Sequence, residues 1–410
     1  MSGSFAKTAV MIGAGNIGRG FVGAAFATSG YETVFIDIDE ALVSEINARG
    51  EYPVRVLLPD GGYKDTIAQG VRAVHSKNTG AAAEEIARAD ICATAVGVRA
   101  MPQLAPLLAM GLAMRSRAGQ GPLNIIVCEN MIAAGAQLRQ HVMDVLPAGL
   151  GPVIDGMTGY PEAVIGRMTP IQTDEMKDGD PLRVCVEKYA FLPVDKEAFR
   201  GEIPHIDGML PLDRFEYYVK RKLYIHNLGH AAVAYLGMLK GYTYIADAAE
   251  DAEILYIAQS AMRESAAALS CENGGDAANL DRSINSLLYR FTNHALGDTC
   301  ARVGADPVRK LGKTDRLIGA LENCEVYGLP SIYIAAVAAA AALVLEKTWD
   351  SASPPQPLSE ITGLSIECEA YRLIMKLGTA CSSAAAKDKD GAVTALRRAA
   401  MKIAGDIVIL

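Results

Sequence analysis

The stretch VMIGAGNIGRG, residues 10–20, constrains what this chain can fold into more than any other. It sets Gly13, Gly15 and Gly18 in the GxGxxG spacing, directly after an apolar run and before FVGAAFATSG, which reads as a helix. Strand, glycine turn and helix in that order begin a dinucleotide-binding βαβ unit. Each glycine has a physical task. Gly13 permits the tight turn, Gly15 lets the backbone approach a pyrophosphate, and Gly18 lets helix and strand pack closely. The pyrophosphate would rest on the helix N-terminus, among N–H groups that have no intrahelical partner. The loop residues Gly13, Ala14, Gly15, Asn16, Ile17 and Gly18 are therefore the expected cofactor contacts. Asp37 ends the next β-rich run, nineteen positions beyond Gly18. An acid there accepts hydrogen bonds from the adenosine ribose and repels a 2′-phosphate, so NAD is expected rather than NADP.

The runs KTAVMIG, ETVFID, ICATAV and LNIIVCE read as strands with helices between them. Apolar strands of this kind belong to a parallel sheet covered on both faces. VRVLLPDGGYKDT predicts a small antiparallel excursion turning at Asp60-Gly61-Gly62. The strand pattern ends near LRVCVEKYAFLPVD, and beyond Lys196 apolar residues recur at helical spacing. The fold expected is α/β, with a mostly parallel N-terminal domain over residues 1–197 and a mostly helical domain over 198–410. Ser351–Pro357 reads as a loop. In open α/β sheets ligands gather at the carboxyl ends of strands. Gly97, closing ATAVG, and Glu129, in CEN, are thus expected beside the cofactor. Asn130 either faces the nicotinamide or substrate, or caps the helix MIAAGAQLRQHV.

KLYIHNLGH, residues 222–230, gathers one Lys, two His and one Asn among apolar residues. On an α-helix, taking Lys222 as zero, His226 falls near 40°, His230 near 80° and Asn227 near 140°. All four would share less than half the circumference and could face one site. A solvated amphipathic face would give the same spacing.

Here the chain resembles the polyol-specific long-chain dehydrogenases, which carry a Lys, an Asn five positions on and a His three beyond it. Lys222, Asn227 and His230 match that pattern, and GAGNIGRGF, TAVG, LNIIVCENM, KLYIHNLGHAAVAYLG and RVGADPVRKL…DRLIG all look like the family. The resemblance runs from Lys7 to at least Pro330. It implies a Rossmann domain, a helical C-terminal domain and a zinc-independent, NAD-dependent alcohol/ketone oxidoreduction. Lys222 is the implied general acid/base, and Asn130 and Asn227 would donate to the reacting oxygen. His230 would hold that oxygen or a neighbouring hydroxyl, while His226 reads as a helix histidine. The leading substrate pair is mannitol 1-phosphate and fructose 6-phosphate. A keto-uronate reductase is the sibling alternative and a non-catalytic NAD sensor a different class, against which the intact Lys, Asn and His argue. Where the family has Val-Asp-Arg-Ile this chain reads AVIGRMTP, with Gly166 in place of the Asp and Arg167 retained as a substrate contact. Glu162 is a candidate replacement for the missing acid.

ARVGADPVRKLGKTDRL brings Arg302, Arg309, Lys310, Lys313 and Arg316 within fifteen positions of a chain whose formal net charge is −8. Such a run is either a solvated face or a cationic site. By resemblance Arg302 and Lys310 are substrate contacts, with Arg309 beside them, suited to a phosphate, a polyol or a carboxylate. The acidic balance and the lack of a basic stripe argue against a nucleic-acid partner. Eight scattered cysteines without a CxxC pair fit buried thiols in a reducing compartment rather than disulfides or zinc, and no metal is expected. No signal peptide is read at the N-terminus. IYIAAVAAAAALVL is too short to span a bilayer and reads as a core helix. A cytoplasmic protein acting on a small molecule is expected, and the resemblance leans toward a monomer.

Overall fold

A computed structural model describes residues 7–408 apart from 276, 350–355, 387, 389 and 390. Most of the loop expected at Ser351–Pro357 therefore lies outside the described residues, as do the first six positions. Contacts divide the chain into two units. One comprises the residues up to Leu58 with Gly62–Tyr218, the other Pro59–Gly61 with the residues from Val219 onward.

Among the described residues eleven strands are numbered in chain order. They are β1 Thr8–Ile12, β2 Glu32–Asp37, β3 Glu51–Leu57, β4 Tyr63–Gln69, β5 Val71–His75, β6 Ile91–Thr94, β7 Leu123–Val127, β8 Thr158–Gly159, β9 Val184–Glu187, β10 Leu192–Asp195 and β11 Met209–Leu212. The main sheet runs β5-β2-β1-β6-β7-β8, every neighbour parallel. Counting only its own strands, this is the 3-2-1-4-5-6 order of a doubly wound dinucleotide-binding sheet, with its crossover reversal between β1 and β6. Alternation within β1 explains why both faces are covered. Ala9 and Met11 enter one apolar cluster with Phe35 and Ala93, while Val10 and Ile12 enter another with Val34, Ile36 and Ile125. Successive side chains point to opposite faces, so a strand buried on both sides must be apolar throughout.

The expected excursion is the antiparallel pair β3–β4, and β9 adds to it in parallel through Val54–Val184. β5, which the sequence reading did not mark, is half polar because it forms the sheet edge beside β2.

The second unit is helical among the described residues. The helices Leu228–Lys240 and Ile332–Thr348 bury nearly their whole circumference. A helix apolar all round belongs at the centre of such a unit. Among the described residues no helix is long and apolar enough to cross a membrane. Glu264, on the helix Ala252–Asn273, accepts hydrogen bonds from the N–H groups of Tyr333 (2.9 Å) and Ile334 (2.9 Å). It thereby satisfies two donors at the start of the Ile332–Thr348 helix.

Candidate active site

In the first unit the glycine turn is built as its spacing demands. Gly13 has φ +98°, and a Cβ there would stand 2.5 Å from the carbonyl oxygen of Ala95. A Cβ on Gly18 would collide with the carbonyl oxygen of Gly13, so the helix can pack against the turn only without one. At Gly15 a Cβ would meet nothing within 4 Å, and the residue is exposed. The helix begins at Asn16, so its first N–H groups lie directly after the open glycine. Asp37 closes β2 beside the turn. One carboxylate oxygen accepts from the Ala14 N–H at 2.5 Å, the other from Asp39 N at 3.0 Å. This combination of open glycine, helix start and strand-end carboxylate fits the pyrophosphate and ribose of a dinucleotide.

Arg19 was not singled out from the sequence, yet it braces this turn. Its buried guanidinium donates from Nε to the Ala14 carbonyl at 2.7 Å, and Tyr52 Oη donates to the Arg19 carbonyl at 2.8 Å. Glu129, expected beside the cofactor, has a structural task as well. Its buried carboxylate accepts from Val96 N and Gly97 N, both at 2.9 Å, and burial raises its pKa. It thus fastens the turn after β6, where Gly97 has φ +87°. Asn130 is exposed just beyond β7 and does not cap the following helix, Ala134–Val145, whose N-cap is Ala133. Arg167, expected at the substrate, instead donates to the carbonyls of Glu187 (2.9 Å) and Gly20 (3.1 Å). Burial lowers its pKa to about 10, and the side chain ties β9 to the first helix. Glu162 is likewise committed. The backbone N–H groups of Ala134 and Gly135 donate to it, and burial raises its pKa against their influence.

In the second unit KLYIHNLGH is helical with a change of pitch. Phe215–Arg221 is α-helical, Lys222–Asn227 forms a π turn, and Leu228–Lys240 is α-helical again. This corrects the angular reading made for a uniform α-helix. A π turn closes hydrogen bonds between i and i+5 rather than i and i+4, so each residue advances the spiral by less than 100°. Residues five apart then lie closer around the axis than in an α-helix. Lys222 and Asn227 are five apart, and His230 follows Asn227 by three in the α-helix. The pitch change therefore narrows the arc that Lys222, Asn227 and His230 would span on a continuous α-helix.

Their surroundings are partly buried and cationic. Burial, with the nearby charge of Arg316, lowers the Lys222 pKa to about 8. Burial holds His226 well below the ordinary histidine value and brings His230 to about 4, so both rings are neutral near pH 7. The His230 ring stacks on Phe291 with centroids 4.7 Å apart and planes 13° from parallel. His226 meets the same phenyl ring edge-on at 6.1 Å, which suits a packed helix histidine. Tyr224 packs its hydroxyl against Gly319, bringing the segment after Arg316 to the π turn.

The structure sorts the basic segment. Arg302 is held by both oxygens of Asp298, with Nε 2.6 Å from Oδ1. Arg309 pairs with Asp306 at 2.9 Å and Asp315 at 2.8 Å, in half-exposed contacts. Lys313 lies 3.6 Å from Glu322. Two cations are buried. Arg316 shares Asp315 through Nε at 2.7 Å, and Lys310 donates to the carbonyl of Ala305. Burial and the charges of Arg316 and Arg309 lower the Lys310 pKa to about 8. Arg302 and Arg309 are thus neutralised by their own carboxylates, whereas Lys310 has a neutral partner. Asp298, absent from the sequence reading, lies 3.6 Å from His230 Nε2 through its Oδ2. Among the described residues no cluster of three or more His, Cys, Asp or Glu side chains could hold a metal ion.

Comparison with known proteins follows the same two-part division. Residues 7–208 match the domain described as the mannitol dehydrogenase Rossmann domain, and residues 214–359 match the mannitol dehydrogenase C-terminal domain. A mannitol-1-phosphate 5-dehydrogenase of Brevibacillus brevis (strain 47 / JCM 6285 / NBRC 100599) is 37% identical over 345 residues, covering 84% of this chain and 88% of that protein. Among solved structures, a D-sorbitol dehydrogenase in substrate-free form superposes with a TM-score of 0.78 at 15% identity, over 95% of this chain and 94% of its own. A Pseudomonas fluorescens mannitol 2-dehydrogenase, in a ternary complex with NAD and D-mannitol, gives 0.73 at 16% identity, over 97% and 95%. At such identities the two structures share the fold.

Proposed function

Because the chain belongs to the mannitol dehydrogenase family of oxidoreductases, we propose that it is a mannitol-1-phosphate 5-dehydrogenase, using NAD to interconvert mannitol 1-phosphate and fructose 6-phosphate. The observation that carries this reading is Lys222 in the π turn that ends at Asn227, three residues before His230, where burial lowers the lysine pKa to about 8. The glycine turn and Asp37 would hold NAD, which would supply the hydride acceptor for oxidation and, reduced, the donor for reduction. Lys222 then takes the alcohol proton during oxidation and gives it back during reduction. An ordinary lysine near 10.4 would stay protonated at neutral pH, and a value near 8 lets one side chain serve both directions. Asn227 donates a hydrogen bond to the oxygen as alkoxide character develops. The reaction needs no metal in this scheme, because Lys222 handles the proton.

The phosphate reading rests on Lys310, the buried cation of the segment whose partner is a neutral carbonyl. A charge-assisted hydrogen bond contributes roughly 1.5–3 kcal/mol. Lys310→Ala should therefore lower the specificity constant for fructose 6-phosphate about ten- to a hundredfold and largely spare fructose. Arg302→Ala should not shift that ratio, since Asp298 already neutralises it. NADH oxidation with fructose 6-phosphate, fructose and a keto-uronate tests the assignment. A wild-type enzyme that prefers the keto-uronate would make this a sugar-acid reductase, with Lys310 on a carboxylate.

A further inference from the structure

Asp298 and Arg302 form a unit that the reaction above does not use. Arg302 donates to both carboxylate oxygens, and the carboxylate stands between that guanidinium and His230. Asp298 is pinned at the backbone as well. Its carbonyl accepts from Ile245 N at 2.8 Å, and the next residue, Thr299, bridges to Tyr244 and caps the short helix that carries Arg302. His230 is held in plane by Phe291, and its Nε2 is a buried nitrogen without a hydrogen-bond partner among the described residues. The group facing that nitrogen is Asp298 Oδ2, at 3.6 Å. This is too long for a finished hydrogen bond. Hydrogen bonds of a catalytic site are often long in the ligand-free protein and tighten when substrate binds.

We propose that Asp298 is a positioning residue that accepts a hydrogen bond from the Nε2–H of His230 and so fixes the ring's tautomer, with Arg302 holding the carboxylate in place. A neutral imidazole carries one proton, and a carboxylate at Nε2 keeps it there. Nδ1 is then left as a lone pair. His230 consequently meets the substrate as a hydrogen-bond acceptor. It accepts a hydrogen bond from a hydroxyl group rather than donating to the ketone oxygen, which leaves that oxygen to Lys222 and Asn227. The inference rests on the reading of Lys222, Asn227 and His230 as one site. It also gives Arg302 a task other than substrate contact.

The test reads the tautomer directly. The ring ¹⁵N chemical shifts of the resting protein are measured, with His230 assigned by its loss in His230→Asn. The wild type is expected to carry the proton on Nε2. In Asp298→Asn the amide oxygen stays with Arg302 and the amide N–H group turns to His230, so the proton should move to Nδ1. Ketose reduction by that variant should fall about ten- to a hundredfold, as when other groups that orient a site residue are removed, with NADH affinity unchanged. A wild-type proton on Nδ1 overturns the proposal, and so does an Asp298→Asn protein that keeps the proton on Nε2. If Asp298→Asn fails to fold, the wild-type tautomer alone decides. The measurement requires neither substrate nor turnover, so it stands even if Lys222 is not the base. A fully active Lys222→Ala would count against the site reading and not against the tautomer.

Discussion

At the scale of single residues, this chain shows how far side-chain type predicts role. Asp37 was expected to select NAD, and its carboxylate lies at the glycine turn, where it also accepts from Ala14 N. Asp37→Ala should therefore weaken NADH binding and narrow its advantage over NADPH. Fluorescence titration of both cofactors checks this, and a wild type that binds NADPH better would remove Asp37 from the ribose. The structural tasks of Gly13 and Gly18 and the place of Asp37 were legible because they are local: a tight turn, close packing and a strand end. The cations were not. Arg302, Arg309 and Lys310 look alike in a sequence, but one is matched by Asp298, one by Asp306 and Asp315, and one by a carbonyl. Arg167 and Glu129 were named for the ligand and prove committed to backbone groups, because burial makes any charged side chain find partners. Asp298 gave no signal beyond its i, i+4 spacing to Arg302.

At the scale of elements, the central strands were legible because parallel strands covered on both faces must be continuously apolar. The edge strand β5 was missed for the converse reason. The π turn at Lys222–Asn227 left no mark in composition, since one extra residue in a helical ladder changes no residue type. It nonetheless narrows the arc that Lys222, Asn227 and His230 span. The glycine turn supplies a contrast between its own positions. Gly18→Ala places a methyl on the Gly13 carbonyl and should lower both thermal stability and NADH affinity. At Gly15 the space is open in the protein alone. Gly15→Ala should leave the unfolding temperature nearly unchanged and lower NADH affinity, because the methyl enters the pyrophosphate path. Differential scanning fluorimetry with and without NADH separates the two. Equal stability losses at both positions would mean that Gly15 also serves packing.

At the scale of the whole molecule, buried ionisable groups couple stability to pH. Burial raises the Glu264 pKa to about 7, against the pull of the N–H groups at the start of Ile332–Thr348. Between about pH 4.5 and 7 the unfolded chain loses this proton while the folded protein keeps it. Stability from this group is thus greatest in acid and declines across that window, then levels off. Glu264→Gln should flatten the decline, as read by urea unfolding from pH 5 to 8. An unchanged slope would mean that Glu264 stays ionised in the folded protein. Turnover needs both the cofactor and the proton carrier. Lys222 as proton carrier is therefore tested most directly by the pH dependence of turnover in both directions, for wild type and Lys222→Ala. For wild type, mannitol 1-phosphate oxidation should rise as pH passes about 8 and fructose 6-phosphate reduction should fall. Lys222→Ala should bind NADH nearly as before and lose at least about a hundredfold in turnover, with that pH response gone. A Lys222→Ala enzyme that keeps wild-type turnover and the same inflection would contradict the account.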